Sequence, residues 1–165
     1  MRTHRIATVV GAAVAAVALA ASPAAAGSPH FIGNLTTASA SGADLTVDFK
    51  EAGLESGSVE TVQVSAHLDA TYQCVNNGGH NPDDPKKTTI SADVSQSDQF
   101  TAGKNGTISD SLTVSAPAAA TVLDCPNGQT ATLTVVTWSD ISIADLTSGA
   151  YLAIPGTFTS GSPVD

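Results

Sequence analysis

The sequence predicts an all-β chain folded as a single antiparallel β-sandwich, and three observations carry that prediction. Thirteen residues, 62–74, alternate apolar and polar without a break, the period of a strand with one buried and one wet face. A sheet that is wet on one side is normally antiparallel. Further β-favouring segments recur between Gly, Pro and Asn clusters, and no segment shows a helical period. Finally, the chain holds two cysteines, Cys74 and Cys125, which in an exported protein predict one disulfide.

Each strand has its own pattern. In the 62–74 run Val62, Val64, Ala66, Leu68, Ala70, Tyr72 and Cys74 face inward, while Gln63, Ser65, His67, Asp69, Thr71 and Gln73 face water. Leu45, Val47 and Phe49 alternate with Thr46, Asp48 and Lys50, and Ile90, Ala92 and Val94 alternate with Ser91, Asp93 and Ser95. Residues 99–102 and 107–115 flank Gly103-Lys104-Asn105-Gly106, which predicts a tight hairpin. On its second arm Ile108, Leu112 and Val114 face in, and Asp110 shares their parity, which places it near a sheet end or at a bulge. Residues 130–138 are rich in Thr and Val, a β-favouring composition, and 139–146 continue the strand with Ile141 and Ile143 on one face. Residues 151–158 read as a last strand turned at Pro155-Gly156, and 31–37 as an opening one. The Ala-rich run 116–120 is interrupted by Pro117, so no helix is expected there. About seven to nine strands at this spacing suit an immunoglobulin-like sandwich.

The N-terminus reads as a secretory signal peptide, residues 1–26. Arg2, His4 and Arg5 precede an apolar stretch over 6–21, and Ala24-Ala25-Ala26 offers the small residues a signal peptidase reads. Cleavage between Ala26 and Gly27 leaves one β-sandwich domain, 27–165, with loose ends at 27–30 and 160–165. The apolar stretch is short and Ala-rich for a membrane span, which takes about 20 strongly apolar residues, so the product is expected to be secreted and free of the membrane.

Charge excludes one class of partner. The expected mature chain holds four lysines, no arginine and fifteen acids, a net charge of −11. Nucleic acid binding needs Lys and Arg to neutralise phosphates, so no nucleic acid is expected, nor an anionic membrane surface. The acids are scattered, as on solvated strand faces.

Two polar loops, 75–87 and 115–129, stand out. A bridge from Cys74 to Cys125 brings them together at one end of the sandwich, and loops on a rigid scaffold commonly carry binding residues. The first contains Asn76, Asn77, His80, Asn81, Asp83 and Asp84. Its oxygen-rich side chains suit Ca²⁺, but the spacing does not match a twelve-residue EF-hand loop and Lys86-Lys87 adjoins the acids. A solvated Asx-Pro turn explains it better. His30, His67 and His80 lie at no metal-ligand spacing, so neither metal nor cofactor is expected.

The stretch Tyr72-Gln73-Cys74-Val75-Asn76-Asn77-Gly78-Gly79, with Asn81-Pro82 and the later Asp124-Cys125-Pro126-Asn127, resembles a group of small secreted actinobacterial proteins that pair a Cys-x-Asn-x-Gly-Gly turn with a later Cys-Pro. The likeness covers about residues 54–146 and implies secretion and a β-fold without implying any chemistry. A weaker likeness, over Asn105-Gly106-Thr107 to Ser111-Leu112-Thr113-Val114, is to the neocarzinostatin-type apoproteins, acidic sandwiches that carry a small molecule. Those use two disulfides where this chain has cysteines for one.

The expected function is therefore that of a secreted, non-catalytic binding or structural module. Its recognition surface is expected in Asn76, Asn77, His80, Asp83 and Asp84 of the disulfide-end loops, facing an extracellular protein or a cell-wall glycan. The alternative is a carbohydrate or cell-wall binder that stacks sugar on Trp138, provided that ring is exposed; against the disulfide, it would instead be core. A small-molecule carrier and a small hydrolase follow. No Gly-x-Ser-x-Gly elbow is present, and His67 on the wet face of its strand reads as solvated.

Overall fold

A computed structural model describes residues 27–76 and 86–161. The expected signal peptide, and Asn77, His80, Asp83 and Asp84 of the first polar loop, lie outside the described residues. The strands are β1 (His30–Phe31), β2 (Thr37–Ser41), β3 (Asp44–Ala52), β4 (Val59–Asn76), β5 (Lys87–Thr101), β6 (Thr107–Ser115), β7 (Gln129–Asp145), β8 (Tyr151–Ile154) and β9 (Phe158–Gly161). They form two antiparallel sheets. In the smaller, β3 is central, with β6 along one edge and β1 and β2 sharing the other. In the larger the order is β5-β4-β7, with β8 and β9 following one another along the far edge of β7.

The alternation that predicts β4 is obeyed. Val62, Val64, Ala66, Leu68, Ala70, Tyr72 and Cys74 are all buried, and the strand extends beyond them at both ends. Their row meets Leu45, Val47 and Phe49 of β3, Ile108, Leu112 and Val114 of β6, and Val136, Trp138, Ile141 and Ile143 of β7 in one hydrophobic core. At about 25 cal/mol per Å² of apolar surface removed from water, this core is the chief stabilising term.

Strand β7 changes phase along its length. Ala131 and Leu133 pack toward the core, then even-numbered residues point inward from Thr134 to Trp138, and odd-numbered ones from Ile141 onward. The slip occurs where Ser65 pairs with Ser142 but His67 pairs with Ser139, so two β7 residues oppose Ala66. Asp140 sits in this bulge with φ 49°, alone among non-glycine residues with a positive φ in the described chain. A second slip, between Thr71 and Tyr72, leaves Thr134 as the extra residue. Its hydroxyl donates to the Thr71 carbonyl at 3.0 Å.

Five local expectations change. The segment 99–115 is not a hairpin: β5 belongs to the larger sheet and β6 to the smaller. Gly103-Lys104-Asn105-Gly106 does turn tightly, the Gly106 N–H donating to the Gly103 carbonyl at 2.9 Å. The turn is held against the β3–β4 connection, where the Leu54 N–H donates to the Gly106 carbonyl at 3.1 Å, and this docking sends the chain across to the other layer. The opening strand is broken by a 3₁₀ turn at Gly33–Leu35, in which the Thr36 hydroxyl bonds the Ile32 carbonyl at 3.1 Å. The Ala-rich segment forms one helical turn, α1 (Ala119–Val122), just after Pro117. The last strand is divided at Pro155-Gly156 into β8 and β9, both on β7.

Asp110 is neither at a sheet end nor at a bulge. It pairs with Phe49 in unbroken register and is exposed.

Candidate functional site

The expected disulfide is present, and the chain around it is braced more heavily than the sequence suggests. Cys74 and Cys125 are bonded with Cα atoms 5.6 Å apart. The Cys74 N–H donates to the Lys86 carbonyl at 2.9 Å, and Lys86 Nζ donates to the Asp124 carbonyl at 2.7 Å. Tyr72 Oη donates to the Pro117 carbonyl at 2.8 Å, and burial raises the pKa of this phenol. Gln129 Nε2 donates to Asn76 Oδ1 at 3.3 Å. The two chain ends that carry loop 75–87 are thereby tied to loop 115–129 at several points. Of the loop residues singled out from sequence, Asn76 alone falls among the described residues, half-buried at the end of β4.

Trp138 decides between two readings of its ring. It is fully buried, so it offers no face to a sugar, and the expectation of a Trp138 stacking platform is corrected. Nor does it pack on the disulfide. Trp138 pairs with Leu68 while Ala131, seven residues earlier on β7, pairs with Cys74, a separation of about 23 Å at strand rise. The well-exposed aromatic side chain is Tyr151 instead, with 66% of its surface accessible. It lines a surface groove of about 510 Å³ together with Asp140, Ile141, Ala153, Ile154, Pro155 and Gly156.

A polar cluster crowds the wet face of β4 and β5, where His67 stands opposite Asp93. His67 Nδ1 lies 2.7 Å from Asp93 Oδ1, and its Nε2 lies 3.0 Å from Ser91 Oγ and 3.9 Å from Asp69 Oδ1. The bond to Asp93 raises the imidazole pKa above its usual 6.5. The order Asp–His–Ser is that of a hydrolytic triad. Asp93 is 92% exposed, where water competes with the imidazole for its carboxylate. The cluster clamps β4 to β5. The sequence concealed it because the long β4–β5 loop leaves the register of the two strands open.

At the opposite end of β4 from Cys74, three carboxylates are buried: Glu51, Glu60 and Asp145. The Glu60 side chain accepts from the Ser58 hydroxyl, Glu51 accepts from the Ser148 hydroxyl at 3.3 Å, and Asp145 accepts from the Thr147 N–H at 2.8 Å. One oxygen of each acid has no donor: Glu51 Oε2, Glu60 Oε2 and Asp145 Oδ2. Burial disfavours the charged form of a carboxylate, while donated hydrogen bonds favour it. Desolvation, then the charge of Asp145, lifts Glu51 to a pKa of about 7. Asp145 is pushed up by desolvation too, but its bonds from Ser148 and Thr147 outweigh this and hold it below its usual 3.8. A proton on Glu51 shared with Asp145 follows from the two opposite shifts.

Among the described residues no three His, Cys, Asp or Glu side chains are placed to hold a metal ion, and no helix is long and apolar enough to cross a membrane. No protein-family model, curated protein or solved structure matches the chain.

Proposed function

We propose that this protein is exported, loses residues 1–26, and acts outside the cell as a non-catalytic recognition module. Its working surface is the disulfide end, where loops 75–87 and 115–129 meet. The observation that carries this reading is the brace of Cys74–Cys125, Lys86–Asp124, Tyr72–Pro117 and Gln129–Asn76. It ties the two feet of loop 75–87 to loop 115–129, and a rigid base lowers the ordering cost of binding. The partner is an extracellular protein or a cell-wall glycan.

The test uses the mature chain as bait against culture supernatant and isolated cell wall. Replacing Asn77, His80, Asp83 and Asp84 together by alanine is expected to abolish capture of the partner that the unaltered bait retains. Undiminished capture by the fourfold variant rejects the reading.

A glycan alternative keeps support through a different ring from the one the sequence suggested. Tyr151 is exposed and lines one groove with Asp140, and an aromatic face with acceptors in the same groove is what stacked, hydroxyl-rich sugars use. Retention on insoluble chitin or peptidoglycan that disappears in Tyr151→Ala supports it; retention that is unchanged in that variant rejects Tyr151 as the platform.

A further inference from the structure

Strand β5 is an open edge. All fifteen of its residues pair with β4 in unbroken register, and among the described residues no strand pairs with its other side. It has no proline, no bulge and no short length to blunt the edge, and the charge on its core-facing row, Asp98, lies near one end. Its core-facing row is Thr88, Ile90, Ala92, Val94, Gln96, Asp98 and Phe100, opposite Tyr72, Ala70, Leu68, Ala66, Val64, Val62 and Glu60 of β4. Phe100 is covered, its ring meeting Phe49 edge-on at 5.3 Å. The middle of the row is only partly covered. Ile90 and Val94 are half-buried and Ala92 is exposed, although their β4 partners are wholly in the core.

We infer that β5 is a dimerisation edge whose occupant is β5 of a second copy, paired antiparallel about a twofold axis at Ala92. Self-complementarity selects both occupant and register. A twofold normal to the sheet sets a residue against one of the same parity, so the core-facing rows of the two copies meet. Centred on Ala92, Ile90 faces Val94 of the second copy, Ala92 faces its own mate, and Thr88 faces Gln96. One step further out, Lys86 faces Asp98.

Lys86 continues the strand, since its carbonyl accepts from the Cys74 N–H. Both Lys86 and Asp98 are exposed. The lysine ammonium has three donors and uses one on the Asp124 carbonyl. The dimer thus closes an apolar strip and flanks it with two symmetry-related ion pairs. Neighbouring registers lose this: centring on Asp93 sets that acid against its mate, and centring on Val94 sets Asp98 against Ile90. Two charges remain on the joined outer face: Lys87 faces Ser97 of the second copy, and Asp93 faces Ser91 and is already bonded to His67. The larger sheets of the two copies would then form one continuous sheet, which is the geometry of strand addition, and the contact is isologous and closed.

Sedimentation of the purified chain over a concentration series tests this. The unaltered chain is expected to dimerise. Ala92→Lys, at a position exposed in the single chain, is expected to remain folded by circular dichroism and to be monomeric, because two ammonium groups meet on the axis. Lys86→Asp and Asp98→Lys are each expected to weaken the dimer about tenfold, and the double exchange to restore it, since each reversal affects two symmetry-related pairs. Ala92→Cys is expected to give a covalent dimer under mild oxidation. A chain that stays monomeric up to about 1 mM (a Kd at which little binding free energy is left) overturns the proposal, as does a dimer that survives Ala92→Lys. None of these variants touches loops 75–87 or 115–129 except Lys86→Asp, so failure here leaves the recognition reading standing.

Discussion

At the scale of single residues, the buried acids set how this protein answers pH. Glu51 holds its proton up to about pH 7 in the folded chain, against an ordinary value of 4.5. Its stabilising share is therefore complete below pH 4.5 and is lost as pH rises through 7. His67 acts in the same direction: its pKa is raised above 6.5, so its share is full below that value and lost above its folded pKa. Asp145, held below 3.8, loses its share as pH falls. Thermal unfolding followed by circular dichroism is expected to show maximal stability at about pH 4, above the range in which Asp145 loses its share, and a decline from pH 4.5 to about 7 on the order of 3 kcal/mol. Glu51→Gln keeps a donor toward Asp145 without an ionisable proton and is expected to remove most of that decline. A decline of the same size in the variant would show that Glu51 is not its source. Sequence could not reveal this group, because Glu51, Glu60 and Asp145 come from three strands and look like ordinary solvated acids until the sheets are stacked.

Elements carry their own constraints, and two turns show them best. Gly106 has φ 67°, and a Cβ there would lie 2.2 Å from the Leu54 carbonyl oxygen. Gly106→Ala is thus expected to cost more than about 1 kcal/mol, since it both strains the backbone and pushes the β5–β6 turn off its seat. Asp140, at φ 49° in the β7 bulge, is the opposite case. Glycine adopts that conformation freely, so Asp140→Gly is expected to be neutral or stabilising by up to about 1 kcal/mol, and Asp140→Val destabilising by about 1–2 kcal/mol. Urea unfolding midpoints measure both; a stabilising Gly106→Ala would refute the close approach. The β4 strand was legible from alternation alone, because one wet face and one dry face impose period two on the chain. Trp138 was not, because its parity agrees with one half of β7 and conflicts with the other. A bulge, which no period reveals, shifts the phase between them.

For the whole molecule, the disulfide is the longest covalent tie, joining residues 51 apart in sequence. Replacing both cysteines by serine is expected to lower stability by about 4 kcal/mol in the chain-entropy account, read as a drop in urea midpoint with the slope of the transition little changed. A loss below about 1 kcal/mol would show that the hydrogen bonds around it hold the same end of the sandwich without it. The single core spanning both sheets makes the unfolding of this end inseparable from the rest.

By itself the sequence determined the β class, the inward face of its main strands and the pairing of its two cysteines. These follow from local rules: side chains alternate along a strand, and two cysteines leave one pairing. Only the tertiary structure decided that β5 and β6 belong to different sheets, that Trp138 is core and Tyr151 is surface, that His67 meets Asp93 and Ser91, and that three acids share one dry corner. Each of these depends on register, bulges and the stacking of layers. Those are set by packing between residues far apart in the chain, where local pattern carries no signal.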